Sequence, residues 1–459
     1  MYLPRSFWCL LLWGLPALAA EPLDIGSQRE LFVDDYLVGQ LDGAAKQTLQ
    51  KPVPREVVLV TDKPWEGNTC AYYTIFQDGD LYRMYYRGSH FDEQTRKSAH
   101  PEVVCYAESR DGIQWTKPEL GLCEFGGSKA NNIIWNGAGG HNFTPFKDAH
   151  PACLPEARYK ALAGGGGAKH GLYAYQSADG LRWSLTRAEP VITRGAFDSQ
   201  NLAFWDPQAK LYREFHREFR GVRDIMTGTS SDFLNWTEPV FLEYFAAPQE
   251  HLYTNAIRRY ERAPQLLIGF PTRFHPERRE QVEPIFMTSR DGRNFHRWPE
   301  ALIPVTAPEN RDGNRSNYMT WGLVQLPGND KEYSVYATEA YYTGPDSRLR
   351  RFTFRVDGFV SIHAPAAGGQ LLTKPLRFAG AKLTVNAAAA GSLRVEIQDP
   401  AGQPVAGFAL ADCQPFQGDA LEHVVTWVGG ADVSSLAGKP VQLRFELHDA
   451  DLYSLRFAD

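Results

Sequence analysis

Four carboxylates stand in segments that are polar where a buried strand should begin. Glu66 lies in Trp-Glu-Gly-Asn at 65–68, and Asp148 closes His-Asn-Phe-Thr-Pro-Phe-Lys-Asp at 141–148. Asp198 opens Asp-Ser-Gln-Asn at 198–201, and Glu250 begins Glu-His-Leu-Tyr-Thr-Asn at 250–255. A fifth segment, Arg-Ser-Asn at 315–317, carries no acid. Carboxyl groups crowded into one cleft push their pKa values apart, so that one stays protonated while another is ionised. Glycosidic cleavage uses such a pair, an acid on one side of the scissile bond and a base or nucleophile on the other. Asp148, Asp198, Glu250 and Glu66 are therefore the catalytic candidates.

The same segments supply candidate binding groups: Asn142, Asn201, His251, Tyr253 and Asn317 toward hydroxyls, and Arg217, Arg273 and Arg315 toward anionic groups. A guanidinium fork matches a carboxylate and would suit an anionic sugar or uronate. The competing reading is that these arginines pair with the channel acids and only tie strands together. Trp65, Tyr253 and Tyr342 offer faces for sugar rings. The glycines at 164–167 are followed by neither a Lys-Ser/Thr step nor a helix, which argues against a phosphate loop. The twelve histidines show no HExxH pattern, so no metal site is expected. No organic cofactor is implied, and the sequence leaves a channel calcium undecided.

A repeated phrase locates these segments. Ser109-Arg-Asp111-Gly112-Ile-Gln-Trp115 returns as Ser177-Ala-Asp179-Gly180-Leu-Arg-Trp183, as Ser230-Ser-Asp232-Phe-Leu-Asn-Trp236 and as Ser289-Arg-Asp291-Gly292-Arg-Asn-Phe295. A degenerate echo, Asp357-Gly358-Phe359, follows. Recurrence at this spacing signals a repeat architecture, and Asp-Gly before an aromatic reads as a hairpin turn. The repeated aspartates are expected to be turn formers, not reactive groups. Alternating aromatic and β-branched runs bounded by Gly, Pro, Asn and Asp predict four antiparallel strands per repeat. In the third repeat these start near 201, 211, 224 and 236. Five such sheets arranged radially predict a five-bladed β-propeller over 21–364. The first strands then line a shared channel, where the polar segments converge. Leu-Phe-Val-Asp-Asp-Tyr-Leu-Val at 31–38 is expected to close the ring as an outer strand of the last blade. After about Pro365 short strands recur evenly, predicting a C-terminal β-sandwich over 365–459, with 387–390 as a loop tip.

Residues 1–20 read as a secretory signal, with Arg5, an apolar run from Phe7 and a small-residue cleavage pattern. An exported protein, periplasmic or extracellular, is expected, with no membrane insertion once the signal is removed. A net charge of −6, from 48 basic and 54 acidic residues, gives no support for a nucleic-acid partner. Cys70, Cys105, Cys123, Cys153 and Cys413 remain after the signal; their wide spacing predicts neither a zinc ribbon nor a CxxC pair.

Several stretches resemble a group of exported bacterial propeller proteins similar to the glycoside hydrolase family 32 and 43 superfamily of invertases and arabinanases. They are 32–37, Trp-Thr-Lys-Pro-Glu-Leu-Gly-Leu at 115–122, Ala-Phe-Asp-Ser-Gln-Asn-Leu-Ala-Phe-Trp at 196–205, Glu-His-Leu-Tyr-Thr-Asn-Ala-Ile at 250–257, Arg-Ser-Asn-Tyr-Met at 315–319 and Asp-Ala-Asp-Leu-Tyr at 449–453. The resemblance implies an acid in each of the first three blades, a nucleophile or base, a stabiliser and a general acid, matched by Glu66, Asp148 and Asp198. The invertase-type Asn-Asp-Pro-Asn, Arg-Asp-Pro and Glu-Cys motifs are missing, and the third-blade acid is Asp where the family has Glu. The expectation is an exported glycoside hydrolase acting on a poly- or oligosaccharide. A non-catalytic carbohydrate-binding propeller, or a lyase on the same scaffold, is the alternative.

Overall fold

The computed structural model describes residues 21–164, 169–245, 247–305 and 316–459. Residues 1–20, expected to be a secretory signal, Arg315 and most of the 164–167 glycine run lie outside the described residues. Five antiparallel sheets follow one another along the chain. Blade 1 contains Ala71–Asp78, Leu81–Gly88, Val103–Ser109 and Ile133–Trp135. Blade 2 contains Thr144–Lys147, Tyr159–Gly164, Leu172–Ser177 and Ser184–Leu185. Blade 3 is Leu202–Asp206, Leu211–Phe219, Arg223–Ser230 and Val240–Phe241. Blade 4 is Arg258–Arg259, Leu267–Gly269, Phe286–Ser289 and Asn294–Trp298, with a hairpin of Thr272–His275 and Gln281–Pro284 beside it. Blade 5 pairs Glu332–Glu339 with Arg348–Arg355, and its inner segment joins through bridges at Met319 and Val324. The protein is an all-β five-bladed propeller.

The ring closes differently from expectation. Val53–Val60 pairs antiparallel with Arg348–Arg355 and supplies the outer strand of blade 5. The segment at 31–38 does not; its first residue, Leu31, together with Glu30 pairs with Gln442–Ala458 in the C-terminal sheet. Val38–Gly43 and Lys46–Leu49 join the same sheet. Alternation alone does not say which sheet a strand joins, and Phe32 and Leu37 are apolar enough to serve in either. The stretch at 387–390 is also not a loop tip: Lys382–Gln398 is one continuous strand with irregular register after Asn386 and after Ala389, paired along its length with Gln442–Ala458. Small alanines let the strand bend there without breaking its ladder. Ile25, Phe32, Leu383, Val395, Leu443 and Phe457 are among the residues of the core of this C-terminal unit.

The repeated phrase turns each third strand into its fourth. In blade 1 the Ser109 hydroxyl donates to Asp111 (2.9 Å) and accepts from the Gly112 amide (2.8 Å), while Asp111 accepts from the amides of Ile113 and Gln114. The Trp115 indole N–H closes on the Gly112 carbonyl at 3.1 Å. The turn also rivets neighbours. Tyr336 of blade 5 donates to the Gly112 carbonyl (2.7 Å), and Arg83 of blade 1 donates to the Asp179 carbonyl in blade 2 (2.8 Å). Gly112 has φ +70°, and a Cβ there would meet Leu326 at 2.3 Å, so both conformation and space demand glycine. The third copy has Phe233 instead, at φ 69°, its ring 5.6 Å from Phe146 of blade 2. The five cysteines among the described residues are free thiols; burial pushes Cys70 up to about 12.

Candidate functional site

The four candidate carboxylates do not converge. Glu66 is buried, accepting from Tyr86 (2.5 Å), Lys117 (2.6 Å) and the Lys63 amide (3.1 Å). It is a structural anchor under blade 1. Asp148 follows the first strand of blade 2 instead of preceding it, so it stands at the opposite end of the channel. It is buried against Lys160, the Tyr212 hydroxyl (2.7 Å) and the His150 amide (2.9 Å). Asp78 and Asp206 hold the same place in blades 1 and 3 and reach the next blade too, Asp78 accepting from Tyr159 at 2.5 Å and Asp206 from Arg259. Asp148 is thus one of a series of blade-to-blade ties. Glu250 lies between Arg273 (3.0 Å) and Arg297 (3.2 Å).

Asp198 differs from all of these, with 65% of its side chain exposed. It begins the polar turn before the first strand of blade 3, held by buried amides. Asn142 and Asn201 both donate to the Phe197 carbonyl, and Asn201 also to the Ser199 carbonyl. These two asparagines, expected to bind substrate, shape the turn from beneath. Asn317 is likewise buried, its amide N–H donating to the Val282 carbonyl at 3.0 Å. One Asp198 oxygen accepts from Nε2 of His141 at 2.7 Å, and Nδ1 of the same ring donates to Glu102 at 2.8 Å. The hydrogen bond from His141 holds the Asp198 carboxyl at about 2. Burial works against a charge on His141, yet its two carboxylate partners raise its pKa. Glu102 is lowered despite partial burial by the same hydrogen bond and by Arg87. Arg87 also donates to the Thr69 carbonyl (2.8 Å) and the Tyr341 hydroxyl (3.2 Å).

Tyr72 connects this constellation to a cluster of tyrosines that walls a cleft. A bulge between Ala71 and Thr74 leaves Tyr72 at φ 56°. Its ring lies 5.5 Å from that of His141 and 4.8 Å from the Arg87 guanidinium. Strained non-glycine backbone is uncommon outside places where it aims a side chain. Tyr72 packs with Tyr341, Tyr253, Tyr318 and Tyr342, and the last four line a cleft of about 440 Å³ together with Phe91, Phe274 and Arg223. Ser199 donates to the Tyr253 carbonyl at 2.6 Å, which ties the Asp198 turn to the cleft wall. Of the other candidates, Arg217 approaches Asp198 (3.7 Å), whereas Arg273 is committed to Glu250 and Glu283. His251 accepts from the Arg223 amide (3.1 Å), and Trp65 donates to Asn132 away from the cleft. Sequence reasoning passed over His141, Glu102 and Arg223. His141 opens the same polar segment that Asp148 closes. No cluster of three or more His, Cys, Asp or Glu side chains arranged to hold a metal occurs among the described residues.

No protein-family description matches this chain. An uncharacterized protein of Mycobacterium tuberculosis, in strains CDC 1551 / Oshkosh and H37Rv, is 30% identical over 143 residues, which make up 30% of this chain and 41% of that protein. The chain thus spans about two fifths of the length of the curated relatives it matches. Solved structures similar to it include a β-1,2-mannobiose phosphorylase from Listeria innocua in complex with β-1,2-mannobiose (10% identity, TM-score 0.48, 67% of this chain and 97% of that one). A thermostable family-43 glycoside hydrolase (12%, 0.43, 69% and 96%) is another. A third is an N-acetylgalactosamine deacetylase from F. plautii in complex with blood group B trisaccharide (12%, 0.45, 69% and 97%). At these identities no residue role passes from them to this chain.

Proposed function

We propose that this protein is an exported glycoside hydrolase whose reaction takes place at the mouth marked by Asp198. The observation that carries the reading is the exposure of Asp198 beside a tyrosine-lined cleft, against the burial or double pairing of the other three candidate acids. Tyrosine faces suit sugar rings, whose C–H surfaces pack on aromatic planes. A carboxylate held near pKa 2 stays ionised across the working range, so Asp198 acts as base or as stabiliser of an oxocarbenium-like transition state. His141 bonds both Asp198 and Glu102, which raise its pKa, and so holds the Asp198 carboxylate in place for that role. Arg87 fixes Glu102 and faces the imidazole ring, which sets its orientation.

One observation favours a second reading, a carbohydrate-binding propeller without turnover. The Asp198 and Glu102 carboxyls are both lowered, and neither could serve as the carboxylic acid donor of ordinary glycosidases. Reducing-sugar release across a panel of glycans, by the natural protein and Asp198→Asn, separates the two. Binding with no turnover on any glycan would establish the second reading.

A further inference from the structure

Two arginines at this mouth carry charge without a hydrogen-bonded counter-charge. Arg217, on the second strand of blade 3, is 5% exposed; its one acidic neighbour within ion-pair range among the described residues is Asp198, at 3.7 Å. That separation is beyond a hydrogen bond, and Asp198 already receives the His141 N–H. Arg223 opens the third strand and lines the cleft. Its backbone amide donates to His251, but its guanidinium has neither ion pair nor hydrogen bond among the described residues. The Nε of each arginine is sealed from solvent with no acceptor. Elsewhere in the channel arginines meet carboxylates, Arg273 with Glu250 and Glu283 and Arg87 with Glu102.

Aromatic rings hold the two forks in place. The Arg217 guanidinium sits 4.7 Å from the centre of Tyr253 and 5.5 Å from that of Phe219. That of Arg223 sits 5.6 Å from Tyr253, 5.7 Å from Phe219 and 4.1 Å from Phe274. A ring face attracts a cation but does not satisfy the directional N–H donors of a guanidinium. Removing a cation from water without such acceptors is costly, and an incoming anion reverses that cost. The other charged groups on the cleft wall are Glu93, Glu280 and Arg96. All three are exposed, so water and salt screen them more than the buried Arg217 and the half-buried Arg223.

We propose that Arg217 and Arg223, flanking Tyr253, form a subsite for an oxyanion carried on a sugar ring, so that the saccharide taken by this cleft is anionic. A uronate carboxylate and a sulfate ester both present that chemistry to a guanidinium fork. The inference rests on the carbohydrate reading of the cleft and names its substrate class.

Calorimetric titration of the full chain tests it, using oligogalacturonate and oligoglucuronate, their carboxyl-reduced neutral counterparts, and sulfated galactan oligosaccharides. Charge-assisted hydrogen bonds predict that an anionic sugar binds on the order of 10- to 100-fold more tightly than its neutral counterpart. Added salt narrows that gap. Whether uronate or sulfate gives the larger preference identifies the source of the oxyanion. Arg223→Gln and Arg217→Met each shrink the preference while neutral-sugar affinity holds, and Arg223→Lys restores only part of it because the fork is lost. Thermal melts confirm that each variant is folded; Arg223, at the cleft surface, serves where the buried Arg217 variant fails to fold. Equal binding of charged and neutral sugars would overturn the anionic subsite and leave the carbohydrate reading intact. So would equal weakening of both in the variants. Failure of every saccharide to bind would overturn both.

Discussion

Between Glu102 and Asp198 the His141 ring donates from both nitrogens, at 2.8 and 2.7 Å, an arrangement only the imidazolium can make. The proton linkage has a definite sign. His141 is raised above its ordinary 6.5, so its contribution to stability is full below that value and fades as pH rises through the raised one. Asp198 is depressed from 3.8 to about 2, so its contribution is present above 3.8 and is lost as pH falls toward 2. The cluster therefore holds best between those two ordinary values. NMR titration of His141 should give a pKa above 6.5 in the natural protein and a lower one in Asp198→Asn. An unchanged His141 titration would show that the two groups are not coupled. The exposed cluster proposed as the reaction site was half legible in the sequence: Asp198 stands in a polar strand lead, and so does His141. Asp148 misled because its segment contains the whole first strand, which displaces its last residue to the far mouth. The chain carried a signal for this, since Asp78, Asp148 and Asp206 each precede a second strand beginning with Tyr or Leu-Tyr.

The phrase that marks each blade is an element-scale device, and its residues answer to the next blade and not to a ligand. Where three copies use glycine, Phe233 takes the left-handed conformation at φ 69° and fills the space between Phe146 and Tyr212, with ring contacts at 5.6 and 5.3 Å. Left-handed backbone costs a non-glycine residue about 1–2 kcal/mol. Removing a buried phenylalanine costs about 3–5 kcal/mol. Packing outweighs strain, so Phe233→Gly should lower stability by about 1–4 kcal/mol in urea unfolding. A stabilised variant would mean that backbone strain dominates at this turn. The strand order within blades was legible because each repeat alternates and turns in the same way. Ring closure was not, because the choice between 31–38 and Val53–Val60 depends on long-range pairing that local alternation does not encode.

Over the whole molecule, the fifth and weakest copy of the phrase joins the propeller to the C-terminal sheet. Asp357 is fully buried and accepts from Tyr260 (2.6 Å) and Arg262 (3.0 Å) of blade 4, and from Ser454 (3.0 Å) and Asn386 (3.3 Å) of the C-terminal sheet. Arg29 approaches it at 3.5 Å. Burial would raise its pKa, but Arg262 and Arg29 hold it down. Its contribution is thus present above the ordinary carboxylate range and lost on acidification. Removing one partner from a buried ionic network leaves the others uncompensated, so Asp357→Ala should cost about 3–5 kcal/mol. Calorimetry is expected to show a lower melting temperature, and an unchanged one would mean that the junction is held by its apolar contacts alone. With the scaffold fixed in this way, the account turns on the exposed carboxylate at one mouth of the ring. Steady-state hydrolysis and glycan binding measured side by side for the natural protein and Asp198→Asn test it most directly. In Asp198→Asn, kcat is expected to fall by a factor on the order of 10²–10⁴ while the glycan is still bound. Undiminished hydrolysis by the folded Asp198→Asn protein would contradict it.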